Sequence, residues 1–273
     1  MSLPKIEIVS GKGGVKYALY QNNDILAKEI RANGEFASLE RGFAQGMADY
    51  FKAGDILDIG ANLGAFSVPL AIQAPFCKIH AYEVQRLIFS QLCTNIFINR
   101  VENIFPVNCA LGNSNKIISI PDLDLVTSTN VGGFTVDDEI RSNLKNSYID
   151  KITAPNTFLS SCTYSQEKKL DSFTQLEKII FIKLDVEGYE LEVLQGAKKI
   201  LKKNNYPPII FEDWGDKFEW YKKKSEKLNE FLKYLGYDIQ KISPRERLAQ
   251  HKAFEARFVI ANELNPKIQV QKN

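Results

Sequence analysis

The chain has 273 residues, of which 44% are hydrophobic, 25% charged and 11% aromatic. That describes one large globular domain or a domain with an extension, and it excludes a disordered, collagen-like or disulfide-dense chain. A formal net charge of +2, from 35 basic and 33 acidic side chains, provides no field to recruit nucleic acid or an acidic membrane.

Cys77, Cys93, Cys109 and Cys162 are widely spaced and form no C-x-x-C pair, so they read as reduced, mostly buried thiols rather than a zinc framework. The opening MSLPKIEIVS lacks the basic start and apolar stretch of a secretory signal. The uncharged run 60–77 is broken by Asn62, Pro69, Gln73 and Pro75, which would be costly in lipid. A cytoplasmic protein without a membrane span is the expectation.

Two units are expected, an N-terminal hairpin-and-helix extension over 1–50 and the main domain over 51–273. In the first, β-prone pieces Ile6 to Val9 and Tyr17 to Tyr20 flank the turn residues Gly11, Gly13 and Gly14. A helix follows from Ser38 to Phe51, with Ser38 as candidate cap. The lysine-first glycine loop SGKGGVK has Tyr17 where a P-loop needs a magnesium-binding Ser or Thr, so it reads as a hairpin turn.

After Gly54-Asp55 strand and helix alternate: Ile56 to Ile59, Ala65 to Gln73, Lys78 to Tyr82, Gln85 to Asn99, Asn103 to Val107. This is the rhythm of right-handed βαβ units, an α/β, doubly wound, mostly parallel Rossmann-like sheet. Residues 113–178 interrupt it with a long polar stretch containing NVGGF, expected to be irregular. The alternation resumes with strand Ile179 to Leu184, helix Tyr189 to Lys203, strand Pro208 to Phe211 and a helix near Trp220 to Leu235. The last strands, near Tyr237 to Ile242 and Glu255 to Ile260, leave no room for a crossover helix and predict an antiparallel edge hairpin.

The segment GDILDIGANLGAFSVPLA is a strand, a glycine turn and a helix start, the ligand-binding end of a βαβ unit. A dinucleotide fingerprint needs a middle glycine for the pyrophosphate, but that position is Asn62, between Gly60 and Ala65. A nucleoside ligand without a pyrophosphate fits better, with Glu83, 23 residues after Gly60, placed to accept both ribose hydroxyls. S-adenosylmethionine is such a ligand, and NAD is the runner-up.

DIGANLGAFSVPLA, YEVQRLIFSQLCTNIFINRVENI, NCALGN, IKLDVEGYELEVLQGA (Ile182 to Ala197) and FED (Phe211 to Asp213) together resemble the FkbM family of S-adenosylmethionine-dependent methyltransferases. The resemblance runs from Gly34 to roughly Trp214, and the D-V-E-G-x-E-x-x-V-L-x-G-A stretch is its specific part. It implies a seven-stranded methyltransferase sheet with the last strand antiparallel, and O-methylation of a hydroxyl on a sugar, glycan or natural product. By position, it also implies that Asp58, Gly60, Asn62 and Gly64 line the methionine end of the cofactor, with Glu83 at the ribose and Asn108 to Leu111, including Ala110, at the adenine edge. Val84 departs from the family's usual proline but leaves the carboxylate intact.

Methyl transfer to a hydroxyl needs alignment and help in removing a proton. Asp185 and Glu212, at the ends of two strands, are the catalytic candidates, and Asp185 is also a cofactor contact. Asp185, Glu212 and Asp213 are the candidate ligands should a magnesium ion be used. Asn130 to Phe134 is the candidate acceptor side, and Trp214, Trp220 and Tyr221 are candidate ring-stacking residues. Glu187 lies in the D-V-E-G turn, and Glu190 reads as a helix-dipole acid. His80 reads as a sheet histidine and His251 as a weaker candidate for the cleft. The alternatives are a NAD-dependent oxidoreductase and a non-enzymatic nucleoside-binding protein on the same fold.

Overall fold

The computed structural model describes residues 3–147, 158–261 and 267–273. The chain opens with strands β1 (Ile6–Ser10) and β2 (Lys16–Tyr20), then helices α1 (Ile25–Asn33) and α2 (Ser38–Phe51). It continues as β3 (Gly54–Ile59), α3 (Ser67–Gln73), β4 (Cys77–Tyr82), α4 (Arg86–Asn99), β5 (Ile104–Val107) and β6 (Ala110–Leu111). The middle holds β7 (Lys116–Leu123), α5 (Asp138–Ser147) and β8 (Phe158–Lys168). Then come β9 (Ile179–Leu184), α6 (Glu190–Gln195), α7 (Lys198–Lys203), β10 (Ile209–Glu212), α8 (Lys222–Tyr234), β11 (Tyr237–Lys241), β12 (Glu246–His251), β13 (Ala256–Ala261) and β14 (Lys267–Lys272).

Among the described residues, seven strands form the central sheet in the order β11-β12-β10-β9-β3-β4-β5. The pairs β3–β4, β4–β5, β3–β9 and β9–β10 are parallel, whereas β12 is antiparallel to both β10 and β11. This is the expected doubly wound, Rossmann-like α/β sheet with an antiparallel edge hairpin. Both faces are covered: Ile56 packs into one core with α2 and α3, while Leu57 and Ile59 pack into the other with α6, α7 and α8. Burial on two faces is why β3 and β9 read as near-continuous apolar runs.

The edge hairpin is made of different residues from those expected. β11 pairs with β12, inserted beside β10, and β13 pairs with β14 in a separate two-stranded sheet. Glu246–His251 leaves little strand signal, because ERLAQH carries only Leu248 and Ala249 as apolar residues, both fully buried. The polar stretch 113–178 is also not irregular throughout: β7 and β8 pair along most of their length, α5 lies between them in the chain, and β8 also pairs with β6 just before the stretch. Residues 148–157 of that stretch lie outside the described residues.

The N-terminal hairpin is stitched to α4 by side-chain amides. The Ala18 amide donates to Asn95 Oδ1 at 2.7 Å, and Gln91 Nε2 donates to the Ala18 carbonyl at 2.7 Å. Asn95 Nδ2 also donates to the Leu63 carbonyl at 2.8 Å, so one buried side chain joins the hairpin to the glycine turn. The helix α1, not expected from sequence, is capped by Asp24, which accepts from the Ala27 amide at 3.0 Å, and stops at Gly34 with φ of 74°. Ser38 does not cap α2, because Ala37 occupies the cap position in a left-handed conformation. All four cysteines are free thiols, Cys77 and Cys109 buried, Cys93 half-buried and Cys162 exposed.

Candidate functional site

At the carboxyl ends of β3, β4, β9 and β10 lies a cavity of about 450 Å³. Its first wall is the turn after β3. Gly60 has φ of 82°, and a Cβ there would collide with the Asp185 carbonyl oxygen; only glycine lets the turn cross the end of β9 so closely. Asn62 also takes a left-handed conformation, with φ of 50°, and its amide donates to Glu83 Oε2 at 2.9 Å. The Gln85 amide donates to Glu83 Oε1 at 2.8 Å. The buried Glu83 carboxylate is thereby fixed at the cavity wall with acceptor capacity to spare, and burial pushes its pKa up to about 7.

Gly60, Asn62, Glu83, Ala110, Asp185 and Glu212 all line this cavity. Asp58, Gly64 and Asn108 stand behind its wall. Asp58 is fully buried, accepting from Ser67 Oγ at 2.5 Å and paired with Lys183 Nζ at 3.2 Å. Gly64 makes room for Leu92 and Val68, so it serves helix packing. Asn108 Nδ2 donates to the carbonyls of Glu83 at 2.7 Å and Val84 at 3.1 Å, so it clamps the loop carrying the acid, while Cys109, Ala110 and Leu111 supply the wall.

The D-V-E-G-Y-E turn builds the acidic end. Glu190 folds back so that Oε1 accepts the amides of Val186 at 3.2 Å and Gly188 at 3.1 Å, and Tyr221 donates to its Oε2 at 3.3 Å. It is therefore a brace for the turn, with its pKa raised to about 7 by burial. Gly188, at φ of 94°, leaves no space for a Cβ against Ile140. The braced turn holds Glu187 so that Asp185, Glu187 and Glu212 bring one carboxylate oxygen each within 4.8 Å of one another, an arrangement that could hold a hard cation. Burial first, and then the neighbouring Glu212, Asp185 and Glu190, raise the Glu187 pKa. Burial and Asp185 raise that of Glu212 to about 8 against the pull of Arg245, 3.5 Å away.

Asp213 does not join this group. Alternation past the strand end turns it away, where it accepts from the Gly215 amide at 2.9 Å and Asn229 Nδ2 at 3.0 Å.

The remaining walls are largely residues that sequence reasoning passed over. Phe36, Ala37 and Glu40 reach in from the start of α2, and Arg245 and Glu246 from the β11–β12 turn. Asn130, Gly132, Gly133 and Phe134 form a further wall, tied down where the Val131 amide donates to Asp24 Oδ1 at 2.8 Å and Gln85 Nε2 donates to the Val131 carbonyl at 3.1 Å. Trp214 and Phe218 line the cavity, whereas Tyr221 packs on Trp214 and Trp220 stacks on Phe218. Neither histidine belongs to the site: His80 pairs with Asp55 at 3.1 Å and stacks on Phe105, and His251 stacks on Tyr206 and accepts from the Ala253 amide. Among the described residues, no helix is long and apolar enough to cross a membrane.

A family model described as the methyltransferase FkbM domain matches residues 58–239, well over half of the chain. The chain is 29% identical over 161 residues to methyltransferase sdnD of Sordaria araneosa, covering 52% of this chain and 60% of that protein. It is 26% identical over 148 residues to methyltransferase 1 of Beauveria bassiana (strain ARSEF 2860), covering 52% and 57%. The match therefore spans less than two thirds of either relative. Among solved structures, a precorrin-6y C5,15-methyltransferase from Geobacter metallireducens GS-15 aligns with a TM-score of 0.43 and 13% identity, over 80% of this chain and 90% of that one. On the family match and the motif residues it contains, the chain belongs to the FkbM methyltransferase family.

Proposed function

We propose that the chain transfers a methyl group from S-adenosylmethionine to a hydroxyl oxygen of a sugar, glycan or other natural product, in the cytoplasm. The observation that carries this reading is the buried Glu83 carboxylate, held by two amides at the end of β4 beside the Gly60–Asn62 turn. Two acceptor oxygens on one rigid wall suit the vicinal hydroxyls of a ribose, and Cys109, Ala110 and Leu111 offer a mostly apolar edge for the base. Asn62 occupies the position where a pyrophosphate needs glycine, which argues against the NAD-dependent alternative.

In the transfer, the acceptor oxygen attacks the methyl carbon in line, the carbon–sulfur bond breaks, and its electron pair stays on the departing thioether. No acid is needed for that leaving group. Asp185, whose side chain is 39% exposed at the cavity, takes the hydroxyl proton. Glu212, whose pKa burial and the neighbouring Asp185 raise, sets a second carboxyl group beside that base at the acceptor end of the cavity. A divalent cation, if one is bound, would be held by Asp185, Glu187 and Glu212 and would lower the pKa of the hydroxyl. The aromatic wall of Phe36, Phe134, Trp214 and Phe218 suits the apolar face of a sugar ring or polyketide.

The test is incubation with methyl-labelled S-adenosylmethionine and a panel of glycans and hydroxylated natural products. Label on an acceptor oxygen is the expected result. Label on nitrogen or carbon would overturn the hydroxyl assignment, and hydride transfer with NADH would overturn the reaction class.

A further inference from the structure

We propose that Lys183 is a positioning residue of this site, fixing the glycine turn and the Asp185 carboxylate at one separation through a single ammonium group. The proposal rests on the methyltransferase reading above. In register, Lys183 on β9 lies directly beside Asp58 on β3, and the i, i+2 spacing turns Lys183 and Asp185 to the same face. Lys183 Nζ lies 3.2 Å from Asp58, 3.5 Å from Asp185 and 3.2 Å from the carbonyl of Gly60, to which it donates. Its side chain is only 7% exposed, it lines the cavity floor, and the Phe66 ring lies 5.9 Å from it. The three contacts belong to three parts of the site: the strand before the glycine turn, the turn itself, and the strand end bearing the proposed base.

A lysine inside an otherwise apolar strand, IIFIKL, carries a large desolvation cost and persists only where partners compensate it. Here two carboxylates, Asp58 and Asp185, and the Gly60 carbonyl stand within 3.5 Å of the ammonium and compensate that cost. Neutralising Asp58 requires one contact. The hydrogen bond to the Gly60 carbonyl and the ion pair with Asp185 are additional, and both reach residues that line the cavity.

The experiment separates positioning from mere charge balance. Lys183→Met leaves the buried Asp58 unpaired and is expected to lower the melting temperature. Asp58→Asn/Lys183→Met removes the buried pair together and is expected to restore it. In both variants calorimetry should show S-adenosylhomocysteine bound at least tenfold more weakly than by wild type.

A second readout is specific to the Asp185 contact, because S-adenosylmethionine carries one more positive charge at sulfur than S-adenosylhomocysteine. With Lys183 gone, the field of Asp185 acts on that charge undiminished, so preference for the charged ligand should rise at least threefold over wild type. A melting-restored double variant that binds S-adenosylhomocysteine within threefold of wild type would overturn the proposal, as would equal weakening of both ligands. Wild-type protein binding neither ligand would overturn the methyltransferase reading itself, and the proposal with it.

Discussion

Replacing Glu83 with alanine tests the nucleoside site at its most constrained point. In the folded chain its two oxygens accept the amides of Asn62 at 2.9 Å and Gln85 at 2.8 Å, leaving further lone pairs toward the cavity. A hydrogen bond from a ribose hydroxyl to an ionised carboxylate contributes about 1.5–3 kcal/mol. Loss of one such bond weakens binding at least about tenfold, and loss of two about a hundredfold. The assay is calorimetric titration with S-adenosylhomocysteine at pH 8, above the value of about 7 to which burial raises Glu83, so that the wild-type carboxylate is ionised. The melting temperature is read first: two amides lose their acceptor, but a buried carboxylate is also removed, so only a modest fall is expected. Glu83→Gln keeps one acceptor and should fall between the two. Wild-type affinity in a folded Glu83→Ala protein would refute the assignment.

The other predictions concern protons, backbone and the proposed base. Burial raises Glu83 and Glu190 from 4.5 to about 7 each, so between those values the folded chain holds protons that the unfolded chain has released, and unliganded stability should fall as pH rises through that window. A pH series of denaturant melts that rises across the window would contradict this. Ribose hydroxyls favour ionised Glu83, so binding near pH 6 should release up to about one proton, seen by calorimetry in buffers of different ionisation heat and lost in Glu83→Gln. Gly60→Ala should lower the melting temperature by several degrees, because φ of 82° and the Asp185 carbonyl both oppose a Cβ; an unchanged melt would contradict the tight crossing. Asp185→Asn should retain the fold and lose turnover on an identified acceptor by at least about a hundredfold, whereas full turnover would remove it as base.

What could be read from the sequence was what leaves a local trace. The β3 strand, its glycine turn and the acid at the end of β4 are contiguous, and two-sided burial makes the strands visible as apolar runs. The D-V-E-G turn was also legible, but the job of Glu190 was not, because folding back onto Val186 and Gly188 is a matter of turn geometry rather than helix position. Lys183 needed the sheet register, which alone sets it beside Asp58. Asp213 leaves the acidic group because one residue past a strand end reverses the side chain's direction, and Glu187 joins it because the turn braced by Glu190 holds it there. β12 was hidden by its polar composition. The α1 helix, by contrast, had a readable cap in Asp24 and a readable stop in Gly34.

The central claim is that the cavity beside Glu83 accepts the nucleoside of S-adenosylmethionine, and thermal melting of the wild-type chain with two ligands tests it most directly. At a hundred times its dissociation constant, a ligand that binds only the folded state stabilises it by about 2.7 kcal/mol, enough to raise the melting temperature of a chain this size by a few degrees. S-adenosylhomocysteine should produce that shift and NADH none; a shift with NADH alone would contradict the account.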